Sequence, residues 1–226
     1  MKIIDVPQGS PEWKAARLGL PTASCFDKII QPSTGKLSAS SGKYLATLLA
    51  EWYLGQPLDD FQSPYMVRGT ELEAEAIKWY EYDSDTDTQA VGFCLRDDGL
   101  AGCSPDRLVG DDGGVEMKVP AIQTHLTYLL DHDTIPARMK LMMDYWCQVQ
   151  GCLWVTGRKW WDVCSFSPVL PSVRLRIEPE EGFIKAMEEA VTQFVDRLET
   201  AKRKLAPYKH DREKALAAIA EESHRF

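Results

Sequence analysis

The sequence lacks the features of membrane and secreted proteins. Its longest mostly apolar run, residues 45–50, is far shorter than the roughly 20 residues that a bilayer-spanning helix needs. Residues 1–5 contain no long apolar stretch and no small-residue cleavage site, so no secretory signal is expected. Repeats and long low-complexity segments are also absent. We therefore expect a cytoplasmic globular protein that does not act at a membrane.

Paired cysteine motifs and an excess of positive charge are missing as well. The six cysteines include no Cys-x-x-Cys spacing, which argues against a zinc ribbon or a redox motif and favours reduced thiols. Lys plus Arg number 26 against 34 Asp plus Glu, which gives a net charge of −8. This argues against a generic basic coat for nucleic acid. An enzyme acting on nucleic acid remains open, because its basic groups can be confined to one channel.

The order of local patterns predicts an α/β fold. Residues 10–82 carry helical patterns, beginning at Ser10, a capping hydroxyl followed by proline. Residues 89–177 contain short strand patterns separated by tight turns, with two helical segments among them. A long amphipathic helix is predicted over residues 180–205, within a C-terminal helical segment of residues 180–226. The length of 226 residues and this order favour a single domain with a sheet core and added helices.

The most informative motif is Asp106 followed by Glu116-Met117-Lys118. A tight-turn signal at residues 111–114 separates them, so we expect Asp106 and Glu116 to approach each other across a hairpin. Because side chains alternate along a strand, Glu116 and Lys118 share one face, which we expect at an edge of the sheet. Two carboxylates bind Mg²⁺ or Mn²⁺, and the lysine can hold a water or offset charge on a phosphate. The alternative is a surface ion pair.

Two further residues are candidates for the same site. Glu73 lies one turn into a helix predicted over residues 69–82 and can add a third carboxylate; the alternative is a solvated glutamate near a favourable helix end. Gln148 lies inside an otherwise apolar helix and needs a hydrogen-bond partner if it is buried. It either bonds the attacking water or Lys118, or it is a satisfied core glutamine.

A third constellation has the character of an anion site. Arg17 lies just before a short helix whose start carries Thr22 and Ser24. A guanidinium group, a serine hydroxyl and free backbone N–H groups together favour phosphate binding. The alternative is a capping serine beside a surface arginine.

Taken in this order, the motifs resemble those of the phage lambda exonuclease family, also called the YqaJ-like viral recombinase family, within the PD-(D/E)XK nucleases. The resemblance runs from residue 12 to about residue 156. It implies one nuclease domain over residues 1–226, with a central mixed β-sheet flanked by helices. The matching segments are Glu12-Trp13 to Ser24, Gly69 to Glu73, Cys103 to Asp106, Glu116 to Pro120, Gln148 to Gln150 and Trp154 to Thr156.

The resemblance implies a Mg²⁺-dependent hydrolase, with Mn²⁺ as a substitute, that digests one strand of linear double-stranded DNA from 5′ to 3′. The 3′ single-stranded overhangs then serve recombination by strand annealing. Lys118 would activate or position the attacking water, with Gln148 assisting. The implied metal ligands are Asp106, Glu116, the Met117 carbonyl and Glu73.

The resemblance also implies a pocket for the 5′-terminal phosphate, formed by Arg17, Ser24 and Ser104. One position departs from the family pattern: the arginine expected eight residues after the motif glutamate is Thr124 here, followed by His125. Either these two residues substitute for it, or the cation comes from elsewhere. The candidates for that cation are Arg138 and Lys140.

The implied partners are double-stranded DNA ends, two further copies of the chain in a ring-shaped homotrimer, and a single-strand annealing protein. The implied setting is the cytoplasm of a bacterial cell, with the gene carried by a phage or prophage. Two other functions remain open from the sequence. One is a PD-(D/E)XK endonuclease of restriction or repair type, and the other is a non-catalytic DNA-end-binding protein.

Overall fold

The computed structural model describes residues 1–58, 64–130 and 135–223, and within them helices precede, interrupt and follow a run of strands. In chain order the elements are β1 (Lys2–Ile4), α1 (Pro11–Arg17), a 3-10 helix (Ala23–Lys28), α2 (Ser41–Leu54), α3 (Pro64–Ser84), β2 (Thr88–Gln89), β3 (Phe93–Leu95), β4 (Gly102–Cys103), β5 (Arg107–Val109), β6 (Gly113–Lys118), α4 (Ile122–Leu129), α5 (Ile135–Thr156), β7 (Trp160–Ser165), β8 (Val173–Ile177) and α6 (Glu181–Ser223).

The strands form two sheets. The larger sheet has five strands in the order β2-β5-β6-β7-β8, and the smaller has three in the order β1-β3-β4. Among the strands of the described residues, only β6 and β7 run parallel, and α4 and α5 form the crossover between them; the other strand pairs are antiparallel. The prediction of a mixed sheet flanked by helices is therefore confirmed. Within the described residues, no helix is long and apolar enough to cross a membrane.

Helices cover both faces of the larger sheet. On one face, α3 packs Ala76, Ile77 and Tyr80 against Val115 and Met117 of β6. On the other face, α5 belongs to the larger hydrophobic cluster, which also contains residues of α2 and α6. Strand β6 is therefore central in its sheet and covered on both sides, which decides the environment of the charged residues that it carries.

The expectation that Glu116 and Lys118 lie at an exposed sheet edge is wrong. The two side chains point to the α5 side of the central strand, and Glu116 is only 3% exposed. Helix α5 covers the face that carries the two side chains, and the parallel pairing of β6 with β7 places another strand where an open edge was expected. The charged pair is therefore an interior feature of the molecule.

The helix boundaries differ from the predictions at two places. Helix α3 begins at Pro64, so Glu73 lies in its middle and not one turn from its start. Helix α6 continues to Ser223 through Pro207, although its predicted end was residue 205. Proline removes one intrahelical hydrogen bond. Two lysines, one on either side of Pro207, attach α6 to the N-terminal helical region. Lys202 donates to the Gly19 carbonyl, and Lys209 donates to the Trp52 carbonyl.

Candidate active site

The hairpin of β5 and β6 brings Asp106 and Glu116 together. Arg107 is the register partner of Val115, so the preceding Asp106 lies opposite Glu116. The Met117 backbone N–H donates a hydrogen bond of 2.5 Å to Asp106 Oδ2. This bond fixes the Asp106 carboxylate against the strand that carries the other acid. The two acids are thus positioned by backbone pairing and not by flexible loops.

Glu116 has one oxygen engaged and one without a partner. Its Oε1 accepts a hydrogen bond of 2.5 Å from Lys118 Nζ. Its Oε2 is buried and has no hydrogen-bond partner in the part of the chain that the structure describes. Buried polar atoms are normally paired, so an unpaired carboxylate oxygen indicates a place for a further ligand. A divalent cation is a ligand of suitable charge.

Lys118 links the two acids to helix α5. Its Nζ lies 3.4 Å from Gln148 Oε1 and 4.8 Å from the centre of the Tyr145 ring. Burial lowers the pKa of Lys118, but the charges of Glu116 and Asp106 raise it by more, so the pKa is above its ordinary value. The side chain is therefore an ammonium group at neutral pH, and it can donate hydrogen bonds but cannot accept a proton.

The pKa of Asp106 is raised well above its usual range. Burial is the largest cause, and the neighbouring Glu116 charge adds to it, while Lys118 and the Met117 N–H act in the opposite direction. Without a cation, two carboxylates this close cannot both ionise easily. A divalent ion removes that penalty, so the donor chemistry of Asp106 and Glu116 fits a hard metal ion.

Glu73 reaches this centre from α3 but is paired with a cation. Its Oε1 lies 3.6 Å from Arg107 Nη1, and that nitrogen also donates to the Asp106 carbonyl at 2.6 Å. Glu73 is close enough for its charge to raise the pKa of Asp106. Across residues 1–58, 64–130 and 135–223, no group of three His, Cys, Asp or Glu side chains is placed to hold a metal ion. The donors that converge are therefore two carboxylates, with Glu73 behind them.

Arg17 contacts Ser104, and both residues belong to the predicted phosphate pocket. The group formed by Asp106, Glu116 and Lys118 is called the acidic centre. Arg17 Nη1 donates a hydrogen bond of 2.7 Å to Ser104 Oγ, and Trp13 Nε1 donates one of 2.9 Å to the same oxygen. The guanidinium group also stacks 4.1 Å from the centre of the Trp13 ring. Ser104 is two residues before Asp106, so Arg17 is bonded to the segment that carries the first acid. Burial lowers the pKa of Arg17, which remains charged.

Ser24 is exposed at the start of the 3-10 helix, where its Oγ lies 3.4 Å from Thr22 Oγ1. Among the described hydrogen bonds, none joins Ser24 to Arg17 or Ser104. The structure therefore brings Arg17 and Ser104 together and leaves Ser24 on the neighbouring surface. Its contact with a phosphate stays a prediction.

The residues expected to replace the missing family arginine are differently placed. His125 is 1% exposed, and its ring nitrogens bond Ser165 Oγ at 2.7 Å and the Pro171 carbonyl at 3.0 Å. Both nitrogens are thus occupied, which contradicts a role for His125 in contacting a phosphate. Thr124 is half-buried and Lys140 is exposed. The side chain of Arg138 lies outside the described residues.

The contacts of three residues were not predicted from the sequence, although Trp13 lies within the matching segment Glu12-Trp13 to Ser24. Trp13 is one helical turn before Arg17, a spacing that could have indicated their stacking. Tyr145 precedes Gln148 by three positions on α5 and lies under Lys118, which the same helical periodicity could have indicated. Arg107 holds Glu73 and the Asp106 carbonyl, but no local pattern distinguishes it from other strand arginines.

Known proteins share both the sequence pattern and the fold. The family model for the YqaJ-like viral recombinase domain matches residues 12–159. The structure of an alkaline exonuclease from Laribacter hongkongensis is 31% identical with a TM-score of 0.75, and the match covers 89% of this chain and 99% of that one. The same exonuclease in complex with dAMP is 31% identical, with a TM-score of 0.74 and the same coverage.

A phage related exonuclease from Haemophilus somnus 129PT shares the fold at 17% identity, with a TM-score of 0.61 and coverage of 80% of this chain and 95% of that one. No curated protein matches the chain. The family match spans more than half of the sequence and includes Arg17, Glu73, Asp106, Glu116 and Lys118. The chain belongs to the YqaJ-like viral recombinase family and is a nuclease of the lambda-exonuclease type with a PD-(D/E)XK fold.

Proposed function

We propose that this protein is a Mg²⁺-dependent exonuclease that digests one strand of linear double-stranded DNA from 5′ to 3′ and leaves 3′ overhangs for strand annealing. The observation that carries the proposal is that the segment Ser104–Asp106 bonds Arg17 at one end and, at the other end, the strand that carries Glu116 and Lys118. A cation next to a hydrolytic centre can hold the end of a strand while the adjacent phosphodiester is cut.

Asp106 and Glu116 would hold the metal ion. The buried, unpartnered Glu116 Oε2 and the raised pKa of Asp106 both favour a cation at this position. Mg²⁺ accepts one or two carboxylates and keeps several waters, which suits a centre with two converging acids. When bound, it polarises the phosphodiester and lowers the pKa of a coordinated water. The Met117 carbonyl is proposed as a further ligand, and Glu73 as the ligand of a second ion.

Lys118 and Gln148 would position the attacking water. The ammonium group of Lys118 donates a hydrogen bond to the water or to the phosphate oxygen on which charge develops. Gln148 Oε1, already near Lys118 Nζ, can accept a hydrogen bond from the same water. Lys118 would thus activate or position the attacking water through the hydrogen bonds of its Nζ.

The 5′-terminal phosphate would bind between Arg17 and Ser104, with Ser24 at its rim and Thr124 in place of the family arginine. Guanidinium groups bind phosphates strongly because two N–H donors can meet two oxygens. The alkaline exonuclease complex with dAMP supports a mononucleotide as the product that the present site releases. We also propose a ring-shaped homotrimer and a single-strand annealing protein as partners in the bacterial cytoplasm.

Linear and covalently closed circular duplexes test this function. With Mg²⁺, we expect mononucleotide release from 5′-phosphorylated linear DNA and no cleavage of the closed circle. Cleavage of the circle would instead identify an endonuclease. Lys118→Ala should bind DNA ends without digesting them. Wild-type protein that is folded, binds ends and releases no nucleotide would identify a non-catalytic end-binding protein.

A further inference from the structure

Arg17 also lines a cleft of about 980 Å³. It lies between α1, the 3-10 helix and α2, and its walls include Trp13, Lys28, Lys43 and Tyr44. Asp106, Glu116 and Lys118 do not line it. Pockets of roughly 300–1,000 Å³ hold whole drug-sized ligands, so this cleft is much larger than one terminal phosphate requires.

The cleft carries positive charge beyond Arg17. Lys28 and Lys43 are exposed on its walls. Lys28 Nζ lies 3.5 Å from Cys25 Sγ and 5.4 Å from the centre of the Tyr44 ring, contacts that leave its charge in place. Glu51 is the acidic residue of the lining, against the four cations Lys14, Arg17, Lys28 and Lys43. In a chain with a net charge of −8, such a local excess of cations favours a polyanionic ligand.

We propose that this cleft binds the single-stranded 5′ extension of a DNA end, beyond the position of the terminal phosphate. The inference rests on the proposed function. On a blunt end, the digested strand finishes at Arg17, so none of that strand is left to occupy the space near Lys28 and Lys43. On an end with a 5′ overhang, Arg17 meets an internal phosphodiester, and the preceding nucleotides continue along the two lysines.

This arrangement changes the first product. Water attacks the phosphodiester at the acidic centre, the bond between phosphorus and O3′ breaks, and O3′ takes up a proton. The released fragment then contains the extension as well as the nucleotide next to the cut. It is therefore an oligonucleotide with a 3′-hydroxyl group, while the shortened strand keeps a 5′-phosphate. Digestion continues from that new end, which now resembles a blunt one, with mononucleotide release.

Matched duplexes with a blunt end or a short 5′ overhang test the proposal. Under single-turnover conditions with Mg²⁺, we expect an oligonucleotide as the first product from the overhang and a mononucleotide from the blunt end. Replacing the 5′-phosphate by a 5′-hydroxyl should slow digestion of the blunt substrate. The rate for the overhang substrate should not change, because Arg17 meets an internal phosphate there. A mononucleotide as the first product from both ends would overturn the proposal.

Charge removal in the cleft gives a second readout. In Lys28→Ala/Lys43→Ala, the preference for overhang over blunt ends in binding should fall. The slope of log affinity against log salt for the overhang should decrease by about 1.4, since each contact with a single-strand phosphate contributes about 0.7. Lys185→Ala, which removes an exposed lysine from α6, serves as the matched control and should change neither value.

Two other outcomes distinguish failure of the cleft proposal from failure of the proposed exonuclease function. Equal weakening of blunt and overhang binding in the double variant would place the lysines against the duplex and overturn the proposal. Digestion of blunt ends with no digestion of overhang ends would overturn it while leaving the proposed exonuclease intact. Failure to digest either end would instead remove the proposed function itself.

Discussion

Replacing Lys118 with methionine tests the electrostatics of the acidic centre. The substitution keeps the length of the side chain and removes its ammonium group. The Glu116 side chain is 5% exposed, its Oε1 is 2.5 Å from Lys118 Nζ, and its other oxygen has no hydrogen-bond partner among the described residues. Breaking a buried pair costs about 3–5 kcal/mol, and we expect the lower end, about 3 kcal/mol, because the Lys118 side chain is 24% exposed. The melting temperature should fall by about 6–12 °C.

Thermal unfolding in EDTA measures this effect without a bound cation. Lys159→Met is the matched control, because Lys159 pairs with Asp112 at 2.9 Å while the two side chains are 73% and 51% exposed. Such a surface pair is worth less than about 1 kcal/mol. If Lys118→Met were no less stable than Lys159→Met, the buried pairing of Lys118 with Glu116 would be refuted. Loss of DNA digestion alone would not decide this point, since both the catalytic and the electrostatic roles predict it.

Three further substitutions separate the roles of the site residues. Asp106→Asn should retain the fold and lower Mn²⁺ affinity by about tenfold or more in calorimetric titration, because one charged ligand is lost; unchanged affinity would contradict the assignment. Arg17→Lys should reduce the preference for 5′-phosphate over 5′-hydroxyl ends in digestion assays, because a lysine loses the fork geometry and the stacking on Trp13. A preference equal to that of wild type would exclude Arg17 from the pocket. His125→Gln should lower the melting temperature and leave this preference intact, whereas an altered preference would restore a phosphate contact to His125.

The approach of Asp106 to Glu116 could be predicted from the sequence because it depends on residues that are close together in the chain. The turn between Asp106 and Glu116, with the two-residue periodicity of a strand, is enough to bring the two acids together. The burial of Glu116 was not accessible in this way. It depends on the parallel partner β7, which joins β6 only after a crossover of two helices, and no local pattern reports that pairing.

The expected exposure of His125 to a phosphate and the expected position of Glu73 near a helix start were wrong for similar reasons. The partners of His125, Ser165 and Pro171, are 40 and 46 positions away in the chain, so its position next to Thr124 gave no indication of its burial. Glu73 was placed near a helix start because the helical pattern begins clearly only at residue 69, whereas α3 begins at Pro64. Arg17 and Ser104, 87 positions apart, were linked only through the family resemblance.

Ser104 Oγ accepts hydrogen bonds from both Trp13 and Arg17, and this restricts the groups that the hydroxyl can still bind. A serine hydroxyl offers two lone pairs and one proton, and the indole and guanidinium donors use both lone pairs. With both lone pairs in use, the hydroxyl can act towards a further group only as a hydrogen-bond donor. An incoming group must supply an electron pair to it, which a deprotonated phosphate oxygen always does. Ser104 Oγ thus selects a hydrogen-bond acceptor over a donor, and the charge of Arg17 beside it adds the preference for an anion.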